Sequence, residues 1–591
     1  MTETLETADG STARPARHEP AVRMAGLMKS FGDVQAVVEG RMEVFPGEVV
    51  AVLGPNGAGK TTSLHCLLGL RQPDSGVVEL MGGSPTSSRV RAQCGVVLQN
   101  SGLPGSLKVR ELVDLFRAYY PAPMDTREVM DLAGLTDLSE RFFGELSGGQ
   151  QQRVYLGLAL CGKPRVLFLD EPSVGLDSVS RRQLWSTVQR VAAEGTAVLL
   201  TTHYLEEADA LADRIVLFAS GRTVFEGSSA EMKSHFNRRR LSLRPSGRPD
   251  LEAVRNSGAE DIEYIDGLLS LTTACTADVL RVLLATEQDL NDIEVRGVSL
   301  EEAVEEVLRT SSADLPAPAP AAAPRNRRAA KRDKTAERLD AASWTRIVRA
   351  QTKAEFLKLK RDVAFILTTC LLPTLFFAFF GLSQARHGDQ EAMAYTVAGF
   401  SAYGAIGVGL FGFGVGIAAE RGFKWDLLIR ATPMSPSAYL CSRIIPAAVF
   451  TLFTLGVLGV FSTVVAGVRL SALQWLELMG GLTLGNIVFV AMGLAIGYNL
   501  SPKAAGPVST IIYLLLSFAS GMFVPINQLP PLAENLAQFL PTWHFARIGW
   551  GVVGIEPGFG LPSLLILVAY TVAFTTLAVM GYRRELKTRF L

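Results

Sequence analysis

Over residues 21–235 short β-branched and aliphatic runs alternate with stretches of helical period: VVAVL, GVVLQ, RVLFLD, TAVLLTT and RIVLFAS. That rhythm predicts an α/β domain with a largely parallel sheet. From Val363 the pattern changes. Six apolar stretches follow, Val363–Leu382, Met393–Ala419, Ile444–Val468, Leu478–Leu500, Ala504–Ile526 and Phe559–Tyr582, and none contains Asp, Glu, Lys or Arg. Crossing a hydrocarbon core of about 30 Å takes roughly 20 apolar residues. A soluble core explains one such run, not six in succession, so residues 362–591 read as an all-α, six-span membrane domain.

The segments between are shorter and mixed. Residues 236–310 hold a strand-like LLSLTT and two amphipathic patterns, ADVLRVLLA and VSLEEAVEEVLR, which predict a small α+β appendage. Residues 311–343 include PAPAPAAAPRNRRAAKRDK, which has no periodicity and reads as a basic, Pro/Ala-rich linker. Residues 344–361 set Trp344, Ile347, Val348, Phe356, Leu357 and Leu359 among basic residues, the pattern of an amphipathic connecting helix at a membrane interface. Residues 1–20 are polar, lack an apolar core, and read as a disordered tail rather than a signal peptide.

Charge and cysteine content remove some classes of function. Lys+Arg and Asp+Glu balance at 57 each, so no global charge points to nucleic acid. Six scattered cysteines carry neither a CxxC nor a metal-ligand spacing, against a disulfide framework or a zinc site. Basic residues between the spans (Lys358, Lys360, Arg361, Arg421, Lys424, Arg430, Arg443, Lys503, Arg583, Arg584) fall on one side, with Arg386, Arg469 and Arg547 on the other. By the positive-inside rule both termini and the α/β domain lie in the cytoplasm, and the protein is a multi-pass component of the cell membrane.

Three constellations carry chemistry. Gly54-Pro55-Asn56-Gly57-Ala58-Gly59-Lys60-Thr61-Thr62 follows a strand and opens a helix, the context of a phosphate-binding loop. Its glycines let backbone N–H groups wrap phosphates, Lys60 reaches the β/γ-phosphates, and Thr61 holds Mg²⁺. The strand RVLFLD ends in Asp170-Glu171. Asp170 there binds Mg²⁺ through water and Glu171 polarises the attacking water. Between them, Ser147-Gly148-Gly149-Gln150 in LSGGQQQR offers a hydroxyl and close N–H donors at a helix start, a second anion cradle. One nucleotide does not need two cradles in one domain. The economical reading is that the second serves ATP bound by another copy, which predicts a homodimer with two composite sites.

GPNGAGKT, LSGGQQQR and VLFLDEP, in this order, resemble the nucleotide-binding domain of ABC transporters. The resemblance implies an ATP hydrolase of P-loop fold using ATP and Mg²⁺. It further implies that Gln99 is the Q-loop glutamine sensing Mg²⁺ and the membrane domain, and that Asp177 belongs to the D-loop. By the same resemblance His203 is the switch histidine contacting the γ-phosphate, and Phe31 is the adenine-stacking aromatic. VSLEEAVEEVL is similar to the end of the appendage in ATPases of the daunorubicin-exporter type. The membrane half resembles ABC-2 permeases, through its six spans, the loop ERGFKWDLLIRATPMSPSAYLCSR with Glu420, Leu427, Leu428, Thr432 and Pro433, and GMFVPINQLPPL before the last span. It departs from that exporter type in fusing ATPase and permease, which often occupy separate chains.

The function this implies is ATP-driven export of hydrophobic or amphipathic small molecules by a homodimer in the lipid bilayer, without nucleic acid. ATP binding closes the cytoplasmic domains, and the loop Glu420–Arg430, docking near Gln99, carries closure to the membrane, with the helix 344–361 as a second lever. The alternatives are a flippase or exporter of a lipid or lipid-linked glycan, and a cargo-free signalling complex. With no charge inside the apolar runs, no proton relay is expected. The glycines Gly404, Gly407, Gly409, Gly412, Gly414 and Gly416 suggest close helix packing, and Phe400, Phe411 and Phe413 an aromatic path.

Overall fold

The computed structural model describes residues 19–99, 101–234, 239–245, 249–285, 290–297, 299–313, 342–387, 389–554 and 559–588. The expected tail, up to residue 18, and the expected linker, over 314–341, lie outside the described residues. The chain forms two compact units: residues 1–99 with 162–339, and residues 100–161 with 340–591. Residues 100–161, which chain order encloses within the α/β region, thus group with the membrane half.

The first unit is built on a nine-stranded sheet. Its strands are β1 (Val22–Phe31), β2 (Val34–Val44), β3 (Val49–Leu53), β4 (Ser75–Leu80), β5 (Cys94–Val97), β6 (Val166–Asp170), β7 (Ala197–Thr201), β8 (Arg214–Ala219) and β9 (Arg222–Gly227), in the order β4-β1-β2-β9-β8-β3-β7-β6-β5. β3, β6 and β7 are buried at every position. That suits central parallel strands covered on both faces, and the β3–β7, β3–β8, β6–β7 and β5–β6 pairs are all parallel. β1 pairs antiparallel with β2 and β4.

The appendage is a four-stranded antiparallel sheet, with β10 (Arg239–Pro245), β11 (Ala259–Ile265), β12 (Leu268–Thr273) and β13 (Leu290–Gly297) in the order β11-β12-β10-β13. It has its own core of Leu241, Leu243, Leu269, Leu271, Val279 and Leu283. The helix Leu300–Ala313 belongs elsewhere. Leu300, Ala303 and Val304 join Ala51, Leu53, Ile215, Leu217 and Met232 in the core beside the nucleotide-loop strand. The VSLEEAVEEVL stretch therefore returns to the ATPase sheet.

The second unit contains six helical stretches long and apolar enough to cross a membrane: Val363–Ala385, Gln390–Gly422, Ser437–Val464, Ala472–Asn499, Pro502–Ala519 and Leu561–Glu585. Several run past the uncharged stretches read from sequence, so the expectation that spans carry no ionisable residue needs correction. Glu420 and Arg443 lie inside the second and third helical stretches and are buried. The sequence window stopped where charge appeared, whereas these helices continue because the charges neutralise one another.

Glycines fix the closest helix contacts. A Cβ on Gly409 would meet the Phe489 carbonyl carbon at 2.9 Å, and one on Gly493 would meet the Gly409 oxygen at 2.6 Å, so the second and fourth spans pack backbone to backbone. Gly404 and Gly407 likewise face Thr454 and Tyr513, while Gly412 and Gly416 have more room. The second span widens into a π-helical turn at Leu410–Val415, and the fourth is broken at Asn486. Phe400 sits in an aromatic core with Phe376, Phe380, Tyr403 and Phe523, which makes it a packing residue rather than part of a path. Before the last span, helix Pro541–Val552 buries Phe545, Ala546 and Trp550, and Trp550 stacks on Tyr395 at 4.8 Å.

Candidate functional site

The nucleotide loop lies between β3 and the helix Lys60–Leu67. Gly54 and Gly59 adopt φ of +144° and +99°, and a Cβ at either would strike backbone oxygen, Phe218 O at 2.2 Å and Ala36 O at 2.4 Å. Only glycine fits there. Gly57, at φ +81°, would meet nothing within 4 Å, so the loop crest faces open space. Ala58 donates its N–H to Pro55 O at 3.2 Å. The first-turn amides of Lys60, Thr61 and Thr62 precede any intrahelical acceptor and point at that space.

Lys60 is 8% exposed and its Nζ donates to Gly54 O at 2.6 Å and Pro55 O at 3.2 Å. Burial pulls its pKa down, while Glu171 and Asp170 push it back up. That coupling places the lysine within electrostatic reach of both acids. An ammonium held by two carbonyls in a pocket of exposed amides fits a polyphosphate.

Asp170 ends β6 fully buried. Its carboxylate accepts from Thr201 Oγ1 at 2.6 Å and from the Gln99 backbone; burial nonetheless raises its pKa. Glu171 follows at φ +52°, a region non-glycine residues avoid. The Glu171 N–H donates to Thr201 O at 3.0 Å and Oγ1 at 3.2 Å, which holds it there. Such strain costs on the order of 1–3 kcal/mol and persists where the surroundings over-determine it. It turns the Glu171 carboxylate onto His203 Nδ1, with which it is in direct contact.

Thr201 and Glu207 went unrecognised in the sequence. Glu207 is buried and accepts from Ser173 Oγ at 2.9 Å and Trp185 Nε1 at 3.2 Å, tying the Asp170-Glu171 segment to the helix after His203. A glutamate in a helix's first turn reads as a surface residue, so periodicity gave no signal.

Among the described residues no group of three or more His, Cys, Asp or Glu forms a metal cage. Thr61, Asp170 and Gln99 alone would leave a cation mostly to water and phosphate, which is how Mg²⁺ is usually held. The donor set therefore fits Mg²⁺ arriving with a nucleotide. Phe31 carries Arg71 at 4.3 Å from its ring centroid and Lys29 at 5.6 Å, so one face of the ring is taken by the guanidinium. Asp177 caps helix Ser178–Ala193 by accepting from Ser180 N–H at 2.7 Å.

Ser147, Gly148, Gly149 and Gln150 belong to the second unit. Ser147 caps helix Gly148–Leu160 reciprocally: its Oγ accepts from Gln150 N–H at 3.4 Å, and its N–H donates to Gln150 Oε1 at 3.1 Å. Ser147 and Gly148 are exposed, leaving the helix start open to an anion.

The same unit holds a contact patch between helix Val109–Tyr119 and the start of the permease. Arg361 Nη1 and Nη2 bond Glu111 Oε2 and Oε1 at 2.7 and 2.8 Å, a bidentate fork, and Nη1 also donates to Ser106 O at 2.8 Å. Burial pushes the Glu111 carboxyl up, but Arg361 and the Lys108 N–H outweigh it and hold it below the usual value. Tyr119 donates to Gln351 Oε1 at 2.5 Å, and Phe116 packs edge-on against Trp425 at 5.9 Å. Gly102 N–H donates to Phe423 O at 2.5 Å, in the loop after the second span. Behind this patch Glu355 and Glu420 meet Lys358 and Arg443, two carboxylates and two cations that balance in the interior. The helix Trp344–Arg361 thus buries Ile347, Val348, Gln351 and Glu355 inside the unit.

Comparison with known proteins fits this geometry. The ABC transporter family matches residues 39–174 and the ABC-2 type transporter family residues 347–548. The daunorubicin resistance ATP-binding protein DrrA3 of Streptomyces coeruleorubidus is 37% identical over 38% of this chain and 73% of its own. The Nod factor export ATP-binding protein I of Paraburkholderia xenovorans is 38% identical over 36% of this chain and 73% of its own. The daunorubicin/doxorubicin resistance ATP-binding protein of Streptomyces peucetius is 38% identical over 38% and 70%. All three are named as ATP-binding proteins. The chain belongs to the ABC transporter family, as a multi-pass membrane protein in which a nucleotide-binding ATP hydrolase coupled to transport is fused to an ABC-2-type export permease.

Proposed function

We propose that this chain works as a homodimer that exports hydrophobic or amphipathic small molecules across the cell membrane, with its termini and ATPase in the cytoplasm. The observation that carries the reading is the division of labour between two anion cradles. The loop at Lys60 sits with Asp170, Glu171 and His203 in one unit, and the open helix start at Ser147 belongs to the other. A second copy facing the first would bring Ser147 of each against the phosphates held by Lys60 of its partner, giving two composite sites.

In that assembly Lys60 and the loop amides bind and orient the polyphosphate. Mg²⁺, held with Thr61, Gln99 and Asp170, supplies charge neutralisation. Glu171, fixed by Thr201 and in contact with His203, takes a proton from the attacking water. Closure and reopening bias a two-state permease. The route is short in chain terms: Gln99 holds Asp170 through its backbone, and Gly102, three residues on, holds Phe423. Relatives named for daunorubicin resistance and for Nod factor export match the ATPase half about equally, so cargo choice is assigned to the permease. The Nod factor relatives keep export of a lipid or lipid-linked glycan as the second reading.

Two experiments test this. ATP-driven uptake of a panel of fluorescent amphiphiles into inside-out vesicles should occur with the wild type and vanish with Glu171→Gln. Intact ATPase activity without uptake of any amphiphile would move the assignment to the second reading or to a cargo-free complex. Mixed dimers with Lys60→Ala in one subunit and Ser147→Ala in the other should keep at most one working site. An active monomer, shown by crosslinking and mass measurement, would remove the shared-site proposal.

A further inference from the structure

Glu207 lies fully buried on the helix Leu205–Leu211, and among the described residues it makes no ion pair. Arg181 acts on it electrostatically but pairs with the adjacent Glu206, at 3.8 Å. A buried carboxylate without a cation is costly unless hydrogen bonds satisfy it. Three neutral donors do so here. Ser173 Oγ donates to Oε2 at 2.9 Å, Trp185 Nε1 donates to Oε1 at 3.2 Å, and the Thr202 hydroxyl is the third. Burial still leaves the Glu207 carboxyl above its ordinary pKa. Replacing a buried charge by an apolar residue of like volume is often neutral or stabilising, so packing alone does not account for an acid at this position.

The donors belong to three segments around the candidate site. Ser173, itself buried, is two residues past Glu171. Thr202 precedes His203 and is buried too, and its Oγ1 accepts from the Tyr204 N–H at 3.0 Å, which closes the turn that carries the histidine. Trp185 stands on helix Ser178–Ala193, the helix that Asp177 caps. The His203 side chain is 48% exposed, so packing holds it weakly. Its ring lies 4.1 Å from that of Tyr204, which in turn carries the Arg181 guanidinium at 4.9 Å. With so little packing, the turn at 202–204 sets where the imidazole meets Glu171.

We propose that Glu207 is a positioning residue for ATP hydrolysis: its carboxylate clamps the segment after Glu171 to the turn of His203 and keeps those two side chains in contact. That role rests on the ones given above to Glu171 and His203. It is exerted through Ser173 and Thr202. Through Trp185 the same carboxylate is joined to the helix that begins beside Asp177, so a shift of that helix reaches the pair.

Full-length protein in lipid nanodiscs, assayed for ATP hydrolysis, ATP affinity and thermal unfolding, tests the clamp. Glu207→Leu should lower kcat on the order of 10²-fold, the scale of a small misplacement at a reacting centre, with KM and ATP affinity within about threefold of the wild type. Glu207→Gln should stay within about tenfold of the wild-type kcat, because its amide oxygen still accepts from Trp185 and its NH₂ donates to a hydroxyl oxygen. Ser173→Ala frees only the Glu171 arm; it should lower kcat about tenfold, and it replaces Glu207→Leu throughout if that variant does not fold. In single-turnover hydrolysis, Glu207→Leu should cost little further in a Glu171→Gln or a His203→Ala background, since it acts through that pair. Additive losses in both backgrounds, a fall in ATP affinity that matches the fall in kcat, or Glu207→Gln as slow as Glu207→Leu would overturn the proposal. Undiminished hydrolysis in Glu171→Gln removes the assignment of the base alone, and the His203→Ala background then decides the clamp.

Discussion

At the nucleotide cradle the backbone does the holding. Gly54 and Gly59 turn where no side chain fits, Glu171 is pinned at φ +52°, and Lys60 is tethered to two carbonyls. At the patch between helix Val109–Tyr119 and the permease, side chains do it: the Arg361–Glu111 fork, Tyr119 on Gln351, and Phe116 against Trp425. A backbone cradle tolerates one conformation and serves chemistry. A side-chain patch can break and re-form in two arrangements, which is what transmitting a closure requires. The two regions should therefore fail differently when cut.

The sharpest cut is Glu171→Gln. Removing a general base costs about 10²–10⁴-fold in rate, so steady-state ATPase should fall by that order while ATP still binds. Undiminished turnover would remove Glu171 from its proposed role. On the other side, Glu420→Gln leaves Arg443 and Lys358 with one carboxylate fewer in a buried cluster. Breaking a buried pair costs about 3–5 kcal/mol, so thermal unfolding in detergent should move well down. An unshifted melting curve would mean that water or lipid replaces the lost charge.

Arg361→Gln cuts the fork itself. It removes charge-assisted bonds worth about 1.5–3 kcal/mol, more than exposed pairs such as Arg281–Asp278, worth about 0–1 kcal/mol. ATPase activity should persist while transport per ATP falls. Gly102→Val acts in the same direction by steric means, since a Cβ there meets Phe423 Cβ at 2.6 Å. Its transport ratio should fall less, because the loop can shift.

The smallest expected effect is that of pH. The folded-state pKa of Glu111 is depressed, so the pair contributes fully above the ordinary glutamate value of 4.5 and is lost as pH falls through the lower folded value. Transport per ATP, measured in vesicles between about pH 6 and pH 8, should therefore not change through this pair. A fall in that window that Glu111→Gln abolishes would show that the acid titrates higher.

The same contrast explains what could be read from sequence. The phosphate loop, the Asp170-Glu171 strand end and the Ser147 cap are local, each set by a few neighbouring residues, so spacing revealed them as a set. The six-span, P-loop architecture was legible because apolar length and β-branched rhythm are local too. Glu111 and Arg361 are 250 residues apart, and nothing in either neighbourhood points to the other. Glu420 and Arg443 misled the span boundaries for a related reason: charge ends an apolar window even when a partner neutralises it. The helix Leu300–Ala313 carried an amphipathic signal, but periodicity names a face and not what it packs against.

On this reading the Lys60–Glu171 cradle supplies the energy and the Glu111–Arg361 patch delivers it. The direct test is ATP hydrolysis and amphiphile uptake measured in the same inside-out vesicles for the wild type, Glu171→Gln and Arg361→Gln. Glu171→Gln should lose both, while Arg361→Gln should hydrolyse ATP but transport at least several-fold less per ATP. Uptake per ATP in Arg361→Gln equal to that of the wild type would contradict it.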